Sequence, residues 1–441
     1  MRYFQIWWSA ALFSFALTDL VEARKSQPNV VLIMADDLGY HDLGCYGHPK
    51  IKTPVLDQLA ASGMRLTHFY SGATVCTPSR IALLTGAYPS RLGWSKGVVG
   101  YMIPTNQGLS PKALTMAEVF KASGYATGMF GKWHLGDRPA FRPHRQGFDQ
   151  NYYVNKSNNQ TTKIWNHDEV VEDPFDNRLL TEQFTREARG FIQKNKEQPF
   201  LLYVPYTAPH FPVEAHPDFK NTSQFGAYGD VVEELDFRIG ELLKTLEQTN
   251  IADNTIVVFL SDNGPQPGEQ ALAKPYRGMK WDALEGGTRV PCIVSWPEAI
   301  PASSVNSALI AAIDLLPTLA SACGIDLQSM KTGQPKIDGV NVMDTLTAKP
   351  KAIHPREDLL YWHGLEGFQA IRAGRWKLFP IAEDAGLTNG KQGVALFDLF
   401  NDPGEKNNIS HQHPERVRIM QALANERLKD IADDSMDLGA E

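Results

Sequence analysis

The chain has 441 residues, 43% of them hydrophobic, enough to bury one large core with room for a smaller second domain. Its formal charge of −7, with Lys and Arg spread along the chain, excludes the broad basic surface on which nucleic-acid binding rests. Four cysteines, Cys45, Cys76, Cys292 and Cys323, are too few and too scattered for a disulfide framework and lack zinc-ligand spacing. With Cys76 set aside for chemistry, at most one bridge can form, and the other three are expected to be buried core thiols.

The N-terminus carries Arg2, an apolar run from Tyr3 to Leu17, and small residues Val21 and Ala23 at −3 and −1. Residues 1–23 read as a secretory signal. The alternative is an uncleaved anchor, but the run is short for a span of about 20 residues. Cleavage would remove Arg2, Asp19 and Glu22, turning −7 into −6, and would leave a secreted or periplasmic protein without stable membrane insertion.

Asn29 to Ala35 (NVVLIMA) is a continuous apolar run ending in Asp36-Asp37, a buried strand with two carboxylates at its C-terminal end. Helices are expected over 55–61, 79–84 and 114–122, with Cys76 at the start of the second. A short strand from Tyr125 to Phe130 leads into Gly131-Lys132-Trp133-His134. Residues 150–178, rich in Asn, Gln, Asp and Tyr, show no period and read as a long surface excursion. A helix over 181–194 precedes the strand Pro199 to Pro205 and then Pro209-His210. Another, over 230–246, precedes the strand Thr255 to Leu260 and then Ser261-Asp262-Asn263-Gly264.

Helices alternating with apolar strands predict an α/β fold, a large, mostly parallel central sheet with helices on both faces and its ligand site beyond the strands' carboxyl ends. After about residue 350 come short strands at 369–372 and 376–379 and a final helix over 414–431. This predicts a catalytic domain over 24–350 and a smaller α+β subdomain with an antiparallel sheet over 351–441. The sequons at Asn155, Asn159, Asn221 and Asn408 matter only in a eukaryotic secretory pathway.

Asp36, Asp37, Asp262 and Asn263 offer the hard oxygens that Ca²⁺ or Mg²⁺ takes, although Asp and Asn at strand ends more often serve turns. His134 and His210 follow strands and can exchange protons near neutral pH, or can simply be hydrogen-bonded structural residues. Lys132, Arg80 and Lys280 suit a tetrahedral anion or plain surface charge. A helix N-terminus near Cys76 adds N–H donors. Anion and divalent cation together suggest ester chemistry.

Cys76-Thr77-Pro78-Ser79-Arg80 and Leu84-Thr85-Gly86 resemble the C-x-P-S-R signature of the type I, formylglycine-dependent sulfatases, arylsulfatase-like members of the alkaline phosphatase superfamily. The resemblance continues through Ala35 to Tyr40, Gly131 to Gly136, Pro209-His210, Ser261 to Gly264, Glu285 to Pro291 and Leu396 to Pro403, spanning about residues 28 to 410. It implies that Cys76 is oxidised to Cα-formylglycine by a formylglycine-generating enzyme that reads Pro78 and Arg80. It also implies that Asp36, Asp37, Asp262 and Asn263, with the oxidised Cys76, hold one Ca²⁺ per chain. Arg80 would hold the formylglycine oxygen, Lys132 and Lys280 the sulfate, and His134 and His210 would be base and acid. The hydrated aldehyde would attack sulfur and later expel sulfate by C–O cleavage, which serine could not do.

After Gly147-Phe148-Asp149 the stretch 150–159 departs from the family pattern, and one expected polar contact has no assigned residue. His41, His48, His144 and His363 sit in or near motif loops, where they could face a substrate or only solvent. The implied activity is sulfuric ester hydrolysis, on a sulfated carbohydrate or, as a surrogate, an aryl sulfate. The alternatives are a phosphonate monoester or phosphodiester hydrolase and, more remotely, a non-catalytic protein that binds sulfated glycans.

Overall fold

A computed structural model describes residues 27–441 except 269, 331–332, 350–352, 382–386 and 388–392. The expected signal over 1–23 and the expected domain boundary at 350/351 lie outside the described residues. Among those described, no helix is long and apolar enough to cross a membrane.

Ten strands form the central sheet. Across it run Glu169–Glu172, Ile164–Asn166, Gln150–Val154, Ala126–Lys132, Phe200–Pro205, Asn29–Ala35, Thr255–Ser261, Cys292–Ser295, Met64–Leu66 and Ser304–Asn306. The five strands from Gln150–Val154 to Thr255–Ser261 are parallel neighbours, so their C-terminal ends emerge on one side of the sheet. Asn29–Ala35 is wholly buried because both its faces are covered. Val30, Leu32 and Met34 pack with the helices Cys76–Thr85, Met116–Ala122 and Leu315–Ala322, while Val31, Ile33 and Ala35 pack with Pro54–Ser62, Leu180–Asn195 and Gly226–Gln248. A run of β-branched and aliphatic residues without polar alternation is the sequence signature of such a doubly covered strand.

The expected surface excursion over 150–178 needs correction. Three of its segments continue the sheet to its edge, Gln150–Val154 in parallel register with Ala126–Lys132 and two more as an antiparallel hairpin. Away from the doubly covered centre of the sheet these strands are only partly buried, Glu169–Glu172 at the edge least of all, so Tyr152, Val154, Ile164 and Val170 stand among polar residues and no continuous apolar run marks them. Cys292 and Cys323 are buried as expected, whereas Cys45 is half-buried. None of the four cysteines, all of them described, is bridged.

The C-terminal part carries its own antiparallel sheet, Asp358–His363, Gly367–Ala373, Trp376–Phe379 and Ala395–Asp398, followed by the helix Pro414–Asp433. Leu360, Ile371, Leu378 and Leu396 from this sheet join the core cluster that covers one face of the central sheet. Two sheets thus share one apolar interior.

Candidate active site

Asn29–Ala35 and Thr255–Ser261 pair with Ala35 opposite Ser261, so Asp36-Asp37 and Asp262-Asn263 leave the sheet side by side. The Asp262 N–H donates to the Ala35 carbonyl (3.1 Å), and the Asp37 N–H to Asp262 Oδ1 (3.2 Å). Lys132 ends Ala126–Lys132, with Phe200–Pro205 lying between that strand and Asn29–Ala35. Just before it, Gly131 has φ 147°, and a Cβ there would lie 2.0 Å from the Pro205 carbonyl oxygen, so only glycine lets the strands approach.

Cys76 is the first residue of Cys76–Thr85, a ten-residue helix buried along its whole length. The N–H groups of a first helical turn lack partners within the helix and favour anions. Side chains fix this helix end in place. The Thr77 hydroxyl donates to the His134 carbonyl (2.9 Å) and accepts from the Val99 N–H (3.1 Å), and the Ser79 hydroxyl donates to the Ala73 carbonyl (2.8 Å).

Around this point three carboxylates meet three cations, all of them buried rather than surface charges. Lys132 Nζ lies 2.5 Å from Asp36 Oδ2, Arg80 Nη2 lies 2.8 Å from Asp262 Oδ2, and Lys280 Nζ lies 2.7 Å from Asp37 Oδ2. Arg80 Nη1 also donates to the Lys132 carbonyl (2.8 Å). With all six groups ionised the charges of this set cancel, so a dication can enter it only together with anionic groups that balance it. Two oxygens stay without a hydrogen-bond partner, Asp36 Oδ1 and Asn263 Oδ1. The Asn263 amide gives its Nδ2 to Asp37 Oδ1 (2.7 Å), which leaves that oxygen free. Carboxylate oxygens of Asp36 and Asp262 and the Cys76 sulfur lie within 4.8 Å of one another. Buried, unpartnered carboxylate and amide oxygens in such a set fit a hard divalent cation.

The imidazoles are held as bases. His134 Nε2–H donates to the Val99 carbonyl (2.9 Å), which leaves the buried Nδ1 without a partner. Burial, reinforced by Lys132, depresses its pKa well below the ordinary value. His210 Nδ1–H donates to the Phe211 carbonyl (2.7 Å), and its Nε2 lies 3.7 Å from Asp37 Oδ2. Burial lowers His210 to about 4 even though Asp37 and Asp36 oppose it. For Asp36, burial would raise the carboxyl, but Lys132, His210, Arg80 and Lys280 together hold it well below the usual range. Burial raises the Cys76 thiol despite Lys132 and Lys280, so the thiolate is disfavoured.

A Sulfatase family model matches residues 28–325. The chain belongs to the sulfatase family. A second model, N-sulphoglucosamine sulphohydrolase, C-terminal, matches residues 280–434. Arylsulfatase A of Homo sapiens is 34% identical, covering 87% of this chain and 83% of its own length. The N-acetylgalactosamine-6-O-sulfatase of Bacteroides thetaiotaomicron is 31% identical, covering 91% and 93%. A solved structure from work on glycosaminoglycan metabolism by Bacteroides thetaiotaomicron superposes with a TM-score of 0.81 at 29% identity, covering 91% of this chain and 99% of that one. The protein is a sulfatase, a hydrolase of sulfate esters.

All ten candidate residues of the sulfatase, Asp36, Asp37, Cys76, Arg80, Lys132, His134, His210, Asp262, Asn263 and Lys280, converge on this one place. Cys76, His210 and Lys280 line a cleft of about 160 Å³ that opens from it. His41, His48, His144 and His363 do not line that cleft; His48 accepts the Ile51 N–H (2.7 Å) and His144 faces Asp168 (3.3 Å). The rest of the cleft wall escaped the reading of the sequence. Val98, Tyr101, Ser157, Asn159, Gln160, Phe211, Gln266 and Trp281 complete it. Phe211 and Trp281 directly follow the motif residues His210 and Lys280, which is a signal the sequence carries, whereas Tyr101 and Gln160 come from segments without a signature.

Proposed function

We propose that this sulfatase removes sulfate from a sulfated carbohydrate outside the cytoplasm, using Cys76 matured to Cα-formylglycine and one Ca²⁺ held by Asp36, Asp37, Asp262, Asn263 and the modified residue. The observation that carries the reading is the convergence, on the Cys76 position at the first turn of a helix, of unpartnered metal-type oxygens, three buried cations and two neutral imidazoles. A raised thiol pKa argues against Cys76 acting as encoded, because the thiol lacks the thiolate a nucleophile needs. The formylglycine hydrate supplies an oxygen nucleophile and, through its second hydroxyl, a route to release sulfate by C–O cleavage. Ca²⁺ supplies Lewis-acid polarisation of sulfate oxygens.

The chain's own groups then divide the work. Arg80, fixed by Asp262 and the Lys132 carbonyl, orients the nucleophile's oxygen. Lys132 and Lys280 present ammonium groups to the sulfate, whose charge grows more concentrated on the bridging oxygen as the S–O bond breaks. His134 accepts a proton at Nδ1. His210 delivers one from Nε2 to the leaving oxygen, and the negative charge of a sulfate ester beside it would raise its pKa from about 4. Cys76, Pro78 and Arg80 are buried in the folded protein, so an enzyme that reads them must act before the fold closes.

The test is sulfate release from a panel of defined sulfated mono- and oligosaccharides by the native protein and by Cys76→Ala, with peptide mass analysis of the Cys76 segment. Release is expected only from the native protein and only when that segment carries an aldehyde. Equal release by Cys76→Ala would overturn the mechanism. Cleavage of aryl sulfates but of no sugar would overturn the carbohydrate assignment alone.

A further inference from the structure

Beyond Asn159 and Gln160, on the side away from Cys76, lies a second groove of about 490 Å³, roughly three times the cleft. Asn159 and Gln160 line both, so the two spaces adjoin across one short stretch of chain. The far groove is walled by Asp137, Asn155, Lys156, Thr162, Lys163 and Trp165. It hangs on the catalytic frame, because the Trp133 and His134 N–H groups donate to the Val154 and Asn155 carbonyls (2.9 and 3.2 Å).

Its polar groups are incompletely used. Asn155 is only 8% exposed and gives Nδ2 to Asp137, yet its Oδ1 has no partner, and neither have Gln160 Oε1 and Trp165 Nε1. Buried polar atoms without partners are costly and therefore uncommon. Two acceptors and a donor along one groove match sugar hydroxyls, which both give and take hydrogen bonds. Its cations each have an aspartate partner, but one is held loosely. Lys156 reaches Asp137 (3.2 Å), and Arg142, 4.3 Å from the Trp165 ring centroid, pairs with Asp168 (2.6 Å). Lys163, about half exposed, has Asp173 only at 3.7 Å, the longest of the three pairs, so its ammonium can turn to an anion in the groove.

We propose that this groove is a subsite for a second sugar residue, an anionic one, adjoining the residue that carries the scissile sulfate. The proposal rests on the sulfated-carbohydrate reading above and extends it from a single sulfated ring to a chain of at least two residues. Lys163 and Lys156 meet the negative substituent, and Asn155, Gln160 and Trp165 meet hydroxyls.

The experiment compares kcat/KM for a sulfated monosaccharide and for three disaccharides of the same sulfated residue, whose neighbour is neutral, bears a carboxylate or bears a second sulfate. At least one anionic disaccharide is expected to exceed the neutral disaccharide and the monosaccharide tenfold or more, and whichever does identifies the substituent. That preference should fall at least fivefold in Lys163→Ala, fall further in Lys163→Glu, survive in Lys163→Arg, and shrink with added salt. Equal kcat/KM across the three disaccharides, or a preference that Lys163→Ala and Lys163→Glu leave intact, would overturn the subsite while leaving the carbohydrate reading standing. Turnover of an aryl sulfate with none of the four sugars would overturn the carbohydrate reading itself.

Discussion

The molecule contains two buried clusters of carboxylates and lysines, and they do opposite things with similar groups. One surrounds Cys76. The other joins the two sheets, with Lys377 Nζ 3.1 Å from Glu285 Oε1 and 2.9 Å from Glu405 Oε1, all three side chains fully buried. Tyr70 donates to Glu285 Oε2 (2.6 Å), the Glu285 N–H donates to Glu405 Oε2 (2.7 Å), and Lys377 lies over the Tyr361 ring at 4.2 Å. Backbone strain does not separate the clusters, since Asp37, His134 and Trp281 in the first and Glu405 in the second all have left-handed φ. What separates them is the cleft. Lys280 and Cys76 border open space, while the Lys377 cluster is closed by protein on every side that the described residues show. A charge cluster that opens on a cleft can exchange partners with a ligand; a sealed one can only hold the fold.

Removing one lysine from each breaks the comparison most directly. Lys377→Met strips the shared partner from two buried glutamates and should cost about 3–5 kcal/mol of stability, read from denaturant unfolding, with kcat per folded molecule within a few-fold of the parent. Lys280→Met should invert that pattern. Water or a cation in the cleft can reach Asp37, so the denaturation midpoint should hold, while kcat falls about 10²–10³-fold for loss of one preorganised donor. Equal stability losses in the two variants would erase the distinction between a working cluster and a holding one.

Binding of a cation should distinguish them next. Ca²⁺ at about a hundred times its Kd should stabilise the protein by about 2.7 kcal/mol relative to EDTA, and activity lost to chelation should return with Ca²⁺. The shift should persist in a Glu405→Gln variant and vanish in Asp36→Asn. Identical unfolding midpoints in EDTA and in Ca²⁺ would contradict the metal assignment drawn from Asp36 Oδ1 and Asn263 Oδ1.

The sequence made the first cluster legible because its residues stand at the ends of apolar strands. NVVLIMA-Asp36-Asp37 and TIVVFLS-Asp262-Asn263 state both the strand and its terminal ligands, and parallel pairing brings the two ends together. The second cluster left no such mark. Glu285 lies in a recognised motif, but Lys377 sits in a four-residue strand and Glu405 in a turn, and nothing in their local pattern says that they meet. The cleft wall was hidden for the same reason. Ser157 to Gln160 belong to a stretch whose strands lie toward the edge of the sheet and are half polar, so no apolar run marks the residues that border the cleft.

The smallest effect concerns pH. Burial, with Glu285 nearby, raises Glu405 to about 7 against the pull of Lys377, whereas Lys377 and Arg289 overcome burial to bring Glu285 down to about 2. A carboxyl whose folded pKa is raised binds its proton more tightly when folded, so its contribution is full below the ordinary 4.5 and is lost as pH rises through 7. Glu285 has the opposite sign, but its loss falls below pH 4.5, outside that window. Between pH 5 and 7, then, Glu405 tilts stability downward, and Glu405→Gln should flatten the denaturation midpoint plotted against pH. Asp262, raised to about 7 by burial and by Asp36, tilts it the same way, and a bound cation would cancel that part by favouring the carboxylate. Glu234 and Asp236, also raised to about 7 by burial, contribute equally to parent and variant. The two clusters therefore separate by treatment: Ca²⁺ should remove one part of the slope and Glu405→Gln the other, and parallel profiles for parent and variant would show that Glu405 is ionised with Lys377 throughout.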